Sequence, residues 1–139
     1  MIWGCQWDVT MNWLISSGAK TSNEVNKDSS SWGNYYNTSV KADDGTTVLK
    51  ANGKDQKLNT GKTTFTMANN IYDLAGNVEE WTQEAHTDNR ARRGGLCGNY
   101  GSGFLASLRD FTGIPNGSSG DYGRFSSHFN NKVILDSRA

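Results

Sequence analysis

The sequence predicts one α+β domain with a single well-defined helix, several short strands and long irregular loops. A helix-spaced apolar pattern near the N-terminus predicts the helix, and short stretches that alternate with a period of two predict the strands. The 139 residues include 16 Gly and a single Pro, and such a chain is rich in turns. Five Trp, five Tyr and five Phe supply a modest core and argue against disorder.

The helix is predicted over residues 6–17. Four apolar side chains recur there at the spacing of one helix face: Trp7, Met11, Leu14 and Ile15. We expect Asp8 in the first turn, where the helix dipole favours a carboxylate. Gly18 is expected to end the helix, because glycine readily adopts the left-handed conformation found there.

The predicted strands are short and follow turn residues. Residues 19–62 have weak periodicity, and the pattern there favours only one strand, at 46–49, after the turn Asp43-Asp44-Gly45. Residues 64–67 alternate with a period of two and predict a second strand. An extended stretch is expected to resume after Gly76-Asn77, and two more strands are expected near the C-terminus. These three segments are 78–82, 125–129 and 132–135.

Charge is balanced, with 14 basic and 14 acidic residues, so no overall field favours nucleic acid or an anionic membrane. Arg90, Arg92 and Arg93 form a small basic cluster, for which we expect a structural or solvated role. No apolar run approaches the ~20 residues of a membrane span, so no membrane insertion is expected. The first residues show no signal-peptide pattern. Gly61-Lys62-Thr63 resembles the end of a phosphate loop, but the glycine required at position 56 is Gln.

Residues 70–95 carry the most informative motif, NIYDLAGNVEEWTQEAHTDNRARRGG. Their order resembles the core of the formylglycine-generating enzyme (sulfatase-modifying factor) superfamily, which reads roughly N-x-Y-D-x-x-G-N-V-x-E-W-T followed by R-x-x-R-G-G. Weaker similarities follow the family's order along the chain. They are the helix start Gln6-Trp7-Asp8, the loop Trp32-Gly33-Asn34, Arg109 and the stretch Gly123-Arg124-Phe125.

The resemblance implies a variant of the C-type lectin fold, with a small twisted antiparallel sheet, one or two helices and much irregular loop. Family members normally carry a further strand and helix before the first helix of this chain. The resemblance therefore implies either a fragment or an N-terminally truncated version of the fold, still as one domain over residues 1–139.

The enzyme branch that the chain resembles uses a C-x-x-x-x-C pair after R-G-G to bind copper. Here only Cys97 follows Gly94-Gly95, and one thiolate cannot form the two-sulfur site that Cu(I) prefers. We therefore expect no copper and no catalysis, with Cys97 as a small buried side chain. Neither His86 nor His128 has a carboxylate at ligand-like spacing for an iron site. Whether Cys5 pairs with Cys97 is left open by the sequence.

The family's turn binds Ca²⁺, and the resemblance implies four ligands here: the side chains of Asp73 and Glu80 and the backbone carbonyls of Gly76 and Val78. Two carboxylates and two carbonyls are hard oxygen donors of the kind that Ca²⁺ prefers. In the alternative interpretation, Asp73 caps the turn and Glu80 pairs with an arginine. Trp81 is expected at the centre of the core, with Tyr72 and Leu74 as neighbours.

A second group with this fold resembles the chain more closely: the non-catalytic variable proteins of diversity-generating retroelements. That resemblance implies a ligand-binding protein with a possibly hypervariable surface on residues 94–129. It would bind a protein or a glycan, and not nucleic acid, on a phage virion or a bacterial cell surface, as a homotrimer if it forms a fibre tip. The implied ligand-binding residues are Asn99, Tyr100, Ser102, Phe104, Ser107, Asp110, Phe111, Asn116, Asp121 and Tyr122.

Tyr, Asn, Ser and Gly, which are frequent in this segment, are also the residues on which antibody paratopes rely. Two alternatives remain: a formylglycine-generating-type oxidative enzyme and a glycan-binding lectin module. The only proline lies in Ile114-Pro115-Asn116, which lacks the preceding residue of the usual calcium–sugar motif.

Overall fold

The computed structural model describes residues 2–111, and these residues form a small α+β structure. The ligand candidates Asn116, Asp121 and Tyr122 and the strands expected at 125–129 and 132–135 lie outside the described residues. The helices are α1 (Gly4–Ser16), α2 (Ser22–Asn26) and a 3-10 turn (Thr64–Thr66). The strands are β1 (Val40–Lys41), β2 (Val48–Lys50), β3 (Met67–Ala68), β4 (Ile71–Tyr72), β5 (Glu80–His86) and β6 (Asn89–Arg93).

Helix α1 confirms the predicted apolar face, because Trp7, Met11 and Leu14 are buried. Gly18 has a φ of +75° and its N–H donates to the Ile15 carbonyl at 3.1 Å, so it ends the helix as predicted. The prediction for Asp8 is wrong. Because the helix begins at residue 4, Asp8 lies beyond the first turn, and its carboxylate instead accepts hydrogen bonds from two arginines.

Helix α2 was not predicted, although its signal is present in the sequence. Thr21-Ser22-Asn23-Glu24 is a capping box. The Glu24 N–H donates to the Thr21 hydroxyl at 3.2 Å, and the Thr21 N–H donates to the Glu24 carboxylate at 2.7 Å. This short helix buries Val25 completely.

The strands pair as three two-stranded antiparallel sheets, β1–β2, β3–β4 and β5–β6. The β5–β6 hairpin is the longest pair, and single bridges extend it on both sides. Ile2 bridges Thr82 in β5 in a parallel sense, and Asp110 bridges Arg92 in β6 in an antiparallel sense. The hairpin therefore joins the two ends of the described chain.

The strand expected at residues 64–67 is mostly a 3-10 turn, and β3 begins only at Met67. Local side chains explain the difference. The Thr63 hydroxyl accepts from the Phe65 N–H at 3.2 Å, and the Asp43 carboxylate accepts from the Thr64 N–H at 2.7 Å. These bonds offer the backbone an alternative to a strand ladder. The strand expected at 46–49 is displaced toward the C-terminus, to Val48–Lys50.

The core is built around α1 and two loops. Its cluster includes Trp7, Trp32, Tyr35 and Leu74, and the Trp7 indole N–H donates to the Ala106 carbonyl at 2.8 Å. Trp81 is buried as predicted, but it lies outside this cluster, so the expectation that it is the centre of the core is wrong. Leu74 is buried and Tyr72 is half-buried.

Candidate ligand-binding surface

The turn at Gly76-Asn77 is the point where the distant sequence motifs meet. Both residues have positive φ, +68° and +65°. The Gly76 N–H donates to the Gly94 carbonyl at 2.6 Å, and the Asn77 N–H donates to the Asn34 carbonyl at 2.8 Å. A Cβ on Gly76 would lie 2.3 Å from the Asn34 carbonyl oxygen, so only glycine fits at this position.

Side chains complete this contact region. The Asn77 carboxamide oxygen accepts from the Asn34 side chain at 3.0 Å and from the Leu58 N–H at 2.9 Å, and its nitrogen donates to the Leu58 carbonyl at 2.9 Å. The Tyr35 hydroxyl donates to the Gly94 carbonyl at 2.9 Å, and burial raises the pKa of this phenol. We call this set the motif junction. Its residues are Asn34, Tyr35, Gly76, Asn77 and Gly94.

Two buried arginines support the hairpin beside the motif junction. Arg92 pairs with Glu79 at 2.8 Å and with Asp110 at 2.5 Å, and all three side chains are nearly buried. The Arg93 side chain is fully buried, donates to the Ser107 carbonyl at 2.6 Å and pairs with Asp8. The structural role expected for the basic cluster is thus confirmed for Arg92 and Arg93.

The segment after Gly95 is held mainly through its backbone. The Cys97 N–H donates to the Asn77 carbonyl at 3.1 Å. The carbonyls of Asn99 and Gly101 accept from the N–H groups of Tyr36 and Ser29, at 2.8 and 3.1 Å. We call residues 96–106 the display loop. Its path is fixed from the motif junction at one end to the buried Ala106 at the other.

Two of the predicted ligand-binding side chains in the described part of the chain point into solvent. Tyr100 is 56% exposed, and Ser102 is also exposed. The Tyr100 ring lies 5.6 Å from the ring of the half-buried Tyr36, with the two planes tilted by 49°. Sequence reasoning missed Tyr36, because a contact between residues 64 positions apart leaves no local pattern.

The other described candidates are half-buried and make contacts within the protein. The Asn99 carboxamide accepts from the Leu96 N–H at 3.1 Å, and the Ser107 hydroxyl donates to the Val25 carbonyl at 3.1 Å. Asp110 is the ion-pair partner of Arg92. The remaining two are Phe104, which packs against the core, and Phe111, whose ring lies 5.1 Å from that of His86.

Cys97 lies at the start of the display loop and is 1% exposed. Its thiol donates to the Asp55 carboxylate at 3.0 Å. Burial, together with the hydrogen bond to Asp55, raises the pKa of the Cys97 thiol to about 12. Cys97 therefore stays protonated at neutral pH, a state unsuited to nucleophilic chemistry or metal binding. Cys5 is exposed, and both cysteines are free.

The four residues implied as calcium ligands lie in and beside the Gly76-Asn77 turn. Asp73 is buried with a φ of +59°, and Glu80 is half-buried at the start of β5. The Gly76 carbonyl accepts the Val78 N–H at 2.9 Å and keeps a second lone pair. This donor set is of the oxygen type that Ca²⁺ prefers. Residues 2–111 contain no group of three or more His, Cys, Asp or Glu side chains placed to hold a metal ion. The implied calcium site would not form such a group, because two of its four ligands are backbone carbonyls and only two are carboxylate side chains.

Comparisons with protein-family models, curated proteins and solved structures find no match to this chain. Within residues 2–111, every helix is too short or too polar to span a bilayer.

Proposed function

We propose that the protein is a non-catalytic ligand-binding protein whose surface is centred on the exposed side chains of the display loop. The order of its motifs resembles that of the variable proteins of diversity-generating retroelements, and this resemblance supports the proposal. The proposal includes their setting, a phage virion or a bacterial cell surface, and a protein or glycan surface as the ligand.

One observation carries the proposal: the display loop is positioned by groups other than its exposed side chains. Backbone bonds to Tyr36, Ser29 and Asn77 fix its path, while Tyr100 and Ser102 project into solvent. The exposed residues can therefore be exchanged at little cost to the fold, as a surface that diversifies requires.

The chemistry of the exposed residues suits protein recognition. Tyr36 and Tyr100 offer two adjacent aromatic rings, each with a hydroxyl group. Tyrosine supplies a large contact area at a low entropic cost, and serine and glycine supply adaptable hydrogen bonding. Tyr100 is therefore the side chain that we expect to contribute most to binding.

The environment of Cys97 supports a non-catalytic role. The oxidative branch of the superfamily works through thiolates, whereas the Cys97 thiol is buried beside a carboxylate and its pKa is raised. Ionising it would place a second negative charge next to Asp55.

The binding proposal is tested with the fluorescently labelled protein on a panel of intact bacterial cells. We expect Tyr100→Ala to lower binding to the cells that the native protein labels by at least tenfold. Thr46→Ala, exposed in a different loop, is the matched control and should leave labelling unchanged. If Tyr100→Ala labels the same cells equally well, or if the native protein labels none, the proposal is wrong.

In the genome, a reverse-transcriptase gene beside a near-copy of the 3′ end of this gene would support the retroelement assignment.

Calcium is the proposed structural ligand of the turn, held by Asp73, Glu80 and the carbonyls of Gly76 and Val78. The ion would neutralise the two carboxylates and stiffen the turn that supports the display loop. At a concentration of 100 times its dissociation constant, a bound ion stabilises the folded state by about 2.7 kcal/mol. We expect calcium to raise Tm relative to a chelator, magnesium to raise it less, and Glu80→Gln to abolish the rise. An identical Tm with calcium and with chelator excludes the site.

The homotrimer proposed for a fibre-tip protein is tested separately. Light scattering during size-exclusion chromatography should give three times the 15.2 kDa chain mass. A monomer mass would exclude it without affecting the ligand-binding surface.

A further inference from the structure

A shallow depression of about 380 Å³ opens between α1, the end of α2 and the chain that follows the display loop. Its lining residues are Asp8, Met11, Asn12, Asn26, Ser107 and Arg109. All of them except the nearly buried Met11 are polar, so the depression offers mainly hydrogen-bonding groups.

Internal bonds hold the walls of the depression in place. The Asp8 carboxylate accepts from the buried Arg93 through one oxygen and from Arg109 through the other. Arg109 also pairs with Glu84 through its Nε, at 2.8 Å. The Ser107 hydroxyl donates to the Val25 carbonyl at 3.1 Å, which ties this wall to α2. Asp8, Arg109 and Ser107 are therefore oriented before a ligand binds, which lowers the ordering entropy lost on binding.

The charges around the depression cancel. Arg93 and Arg109 carry two positive charges, and Asp8 and Glu84 carry two negative charges, all within one ion-pair cluster. An anion would have to compete with Asp8 and Glu84 for Arg109, and a cation would have to compete with the arginines for Asp8. A neutral ligand meets neither obstacle.

The remaining polar groups suit hydroxyl groups. The carboxamides of Asn12 and Asn26 are exposed and uncharged, and each has both donor and acceptor groups. The Asn26 nitrogen donates one hydrogen bond to the Ser22 hydroxyl at 3.3 Å, which leaves its second hydrogen for a ligand. Asp8 is 34% exposed and Arg109 is 43% exposed, so their outward atoms add an acceptor and donors. Planar groups of this kind can bind two neighbouring hydroxyls at once.

We propose that this depression is a binding site for a neutral polyhydroxylated ligand, a single saccharide ring or the terminal unit of a glycan. Because the site is open and small, the expected dissociation constant is weak, on the order of 1 mM. This site does not include the exposed display-loop side chains. A test of one site therefore does not decide whether the other site binds a ligand.

The test is a chemical-shift titration of the ¹⁵N-labelled full chain with glucose, galactose and N-acetylglucosamine, and with glucuronic acid and glucosamine as charged counterparts. We expect at least one neutral sugar to shift the side-chain amide signals of Asn12 and Asn26 and the Nε signal of Arg109. The charged sugar most similar to it should bind at least threefold more weakly.

Two variants locate the binding. Asn12→Leu and Asn26→Leu replace exposed side chains, so they should keep the fold and weaken sugar binding at least fivefold. Ser16→Ala, exposed on α1 outside the depression, is the matched control and should bind as the native protein does. Shifts that survive both leucine variants, or no shifts with any neutral sugar, overturn the proposal. A preference for glucuronic acid or glucosamine overturns the charge argument.

Discussion

The motif junction and the display loop are both irregular and both rich in Gly, Asn and Tyr, yet only the display loop also carries exposed side chains, those of Tyr100 and Ser102. In the motif junction the side chains are buried and bond to one another, as with Asn77 and Tyr35. In the display loop the backbone makes many of the bonds, and Tyr100 faces solvent. Residue type alone therefore does not separate scaffold from surface here. The direction of the side chain does.

The largest effect is expected from Gly76→Ala in the motif junction. The new Cβ would collide with the Asn34 carbonyl oxygen at 2.3 Å, in a backbone conformation of φ +68° that alanine disfavours. We expect the free energy of unfolding to fall by about 3 kcal/mol or more. Gly53→Ala is the matched control, because Gly53 has a φ of +77° and no neighbour within 4 Å. It should cost only the backbone strain, about 1–2 kcal/mol. Equal losses in urea unfolding would show that the close approach is unimportant.

The next largest effect is expected from Asn77→Gly. Glycine keeps the positive φ but removes the carboxamide, so two groups of Leu58 and one of Asn34 lose a hydrogen-bond partner. We expect a loss of about 2–3 kcal/mol of unfolding free energy. Asn69→Gly provides the comparison, since Asn69 also has positive φ but makes a single exposed bond, to Ser17. Its unfolding free energy should change by about 0.5 kcal/mol or less, and a larger loss than for Asn77→Gly would contradict the account.

Features of the fold that depend on local periodicity follow well from the sequence. The apolar face of α1 follows from the spacing of Trp7, Met11 and Leu14, and its end follows from Gly18. The strand expected at residues 64–67 failed because the Thr63 hydroxyl and the Asp43 carboxylate bind the backbone there. A pattern of alternating polarity does not predict such side-chain-to-backbone hydrogen bonds.

Long-range contacts explain most of the remainder. No spacing rule joins Asp8 to Arg109, Tyr36 to Tyr100, or Asp110 to Arg92. Four of the predicted ligand residues are half-buried against partners that are distant in sequence. They are Phe104, Ser107, Asp110 and Phe111. The capping box that begins α2 is, by contrast, a local signal that the sequence contains.

A smaller effect on stability is expected from Cys97→Ala, about 1 kcal/mol at neutral pH. The variant should also change the pH dependence. The pKa of the Cys97 thiol rises from 9.0 to about 12 on folding, so its stabilising contribution is complete below pH 9 and is lost as the pH rises toward 12. Urea unfolding across this range should show a shallower decline for Cys97→Ala than for the native protein.

Thiol labelling gives an independent check of the same environment. In the folded protein near pH 8, a thiol reagent should modify the exposed Cys5 rapidly and Cys97 only after unfolding. Equal reaction rates at the two cysteines would show that Cys97 is neither buried nor protonated.

The smallest effect on stability is expected at the exposed side chains of the display loop. The direct measurement is urea unfolding of the double variant Tyr100→Ala/Ser102→Lys beside Asn77→Gly and the native protein. Since Tyr100 and Ser102 are mostly exposed, each of these two substitutions should alter the unfolding free energy by about 0.5 kcal/mol or less, with an unchanged denaturant slope. A loss for the double variant as large as that for Asn77→Gly would contradict the claim that backbone and buried anchors alone position the display loop.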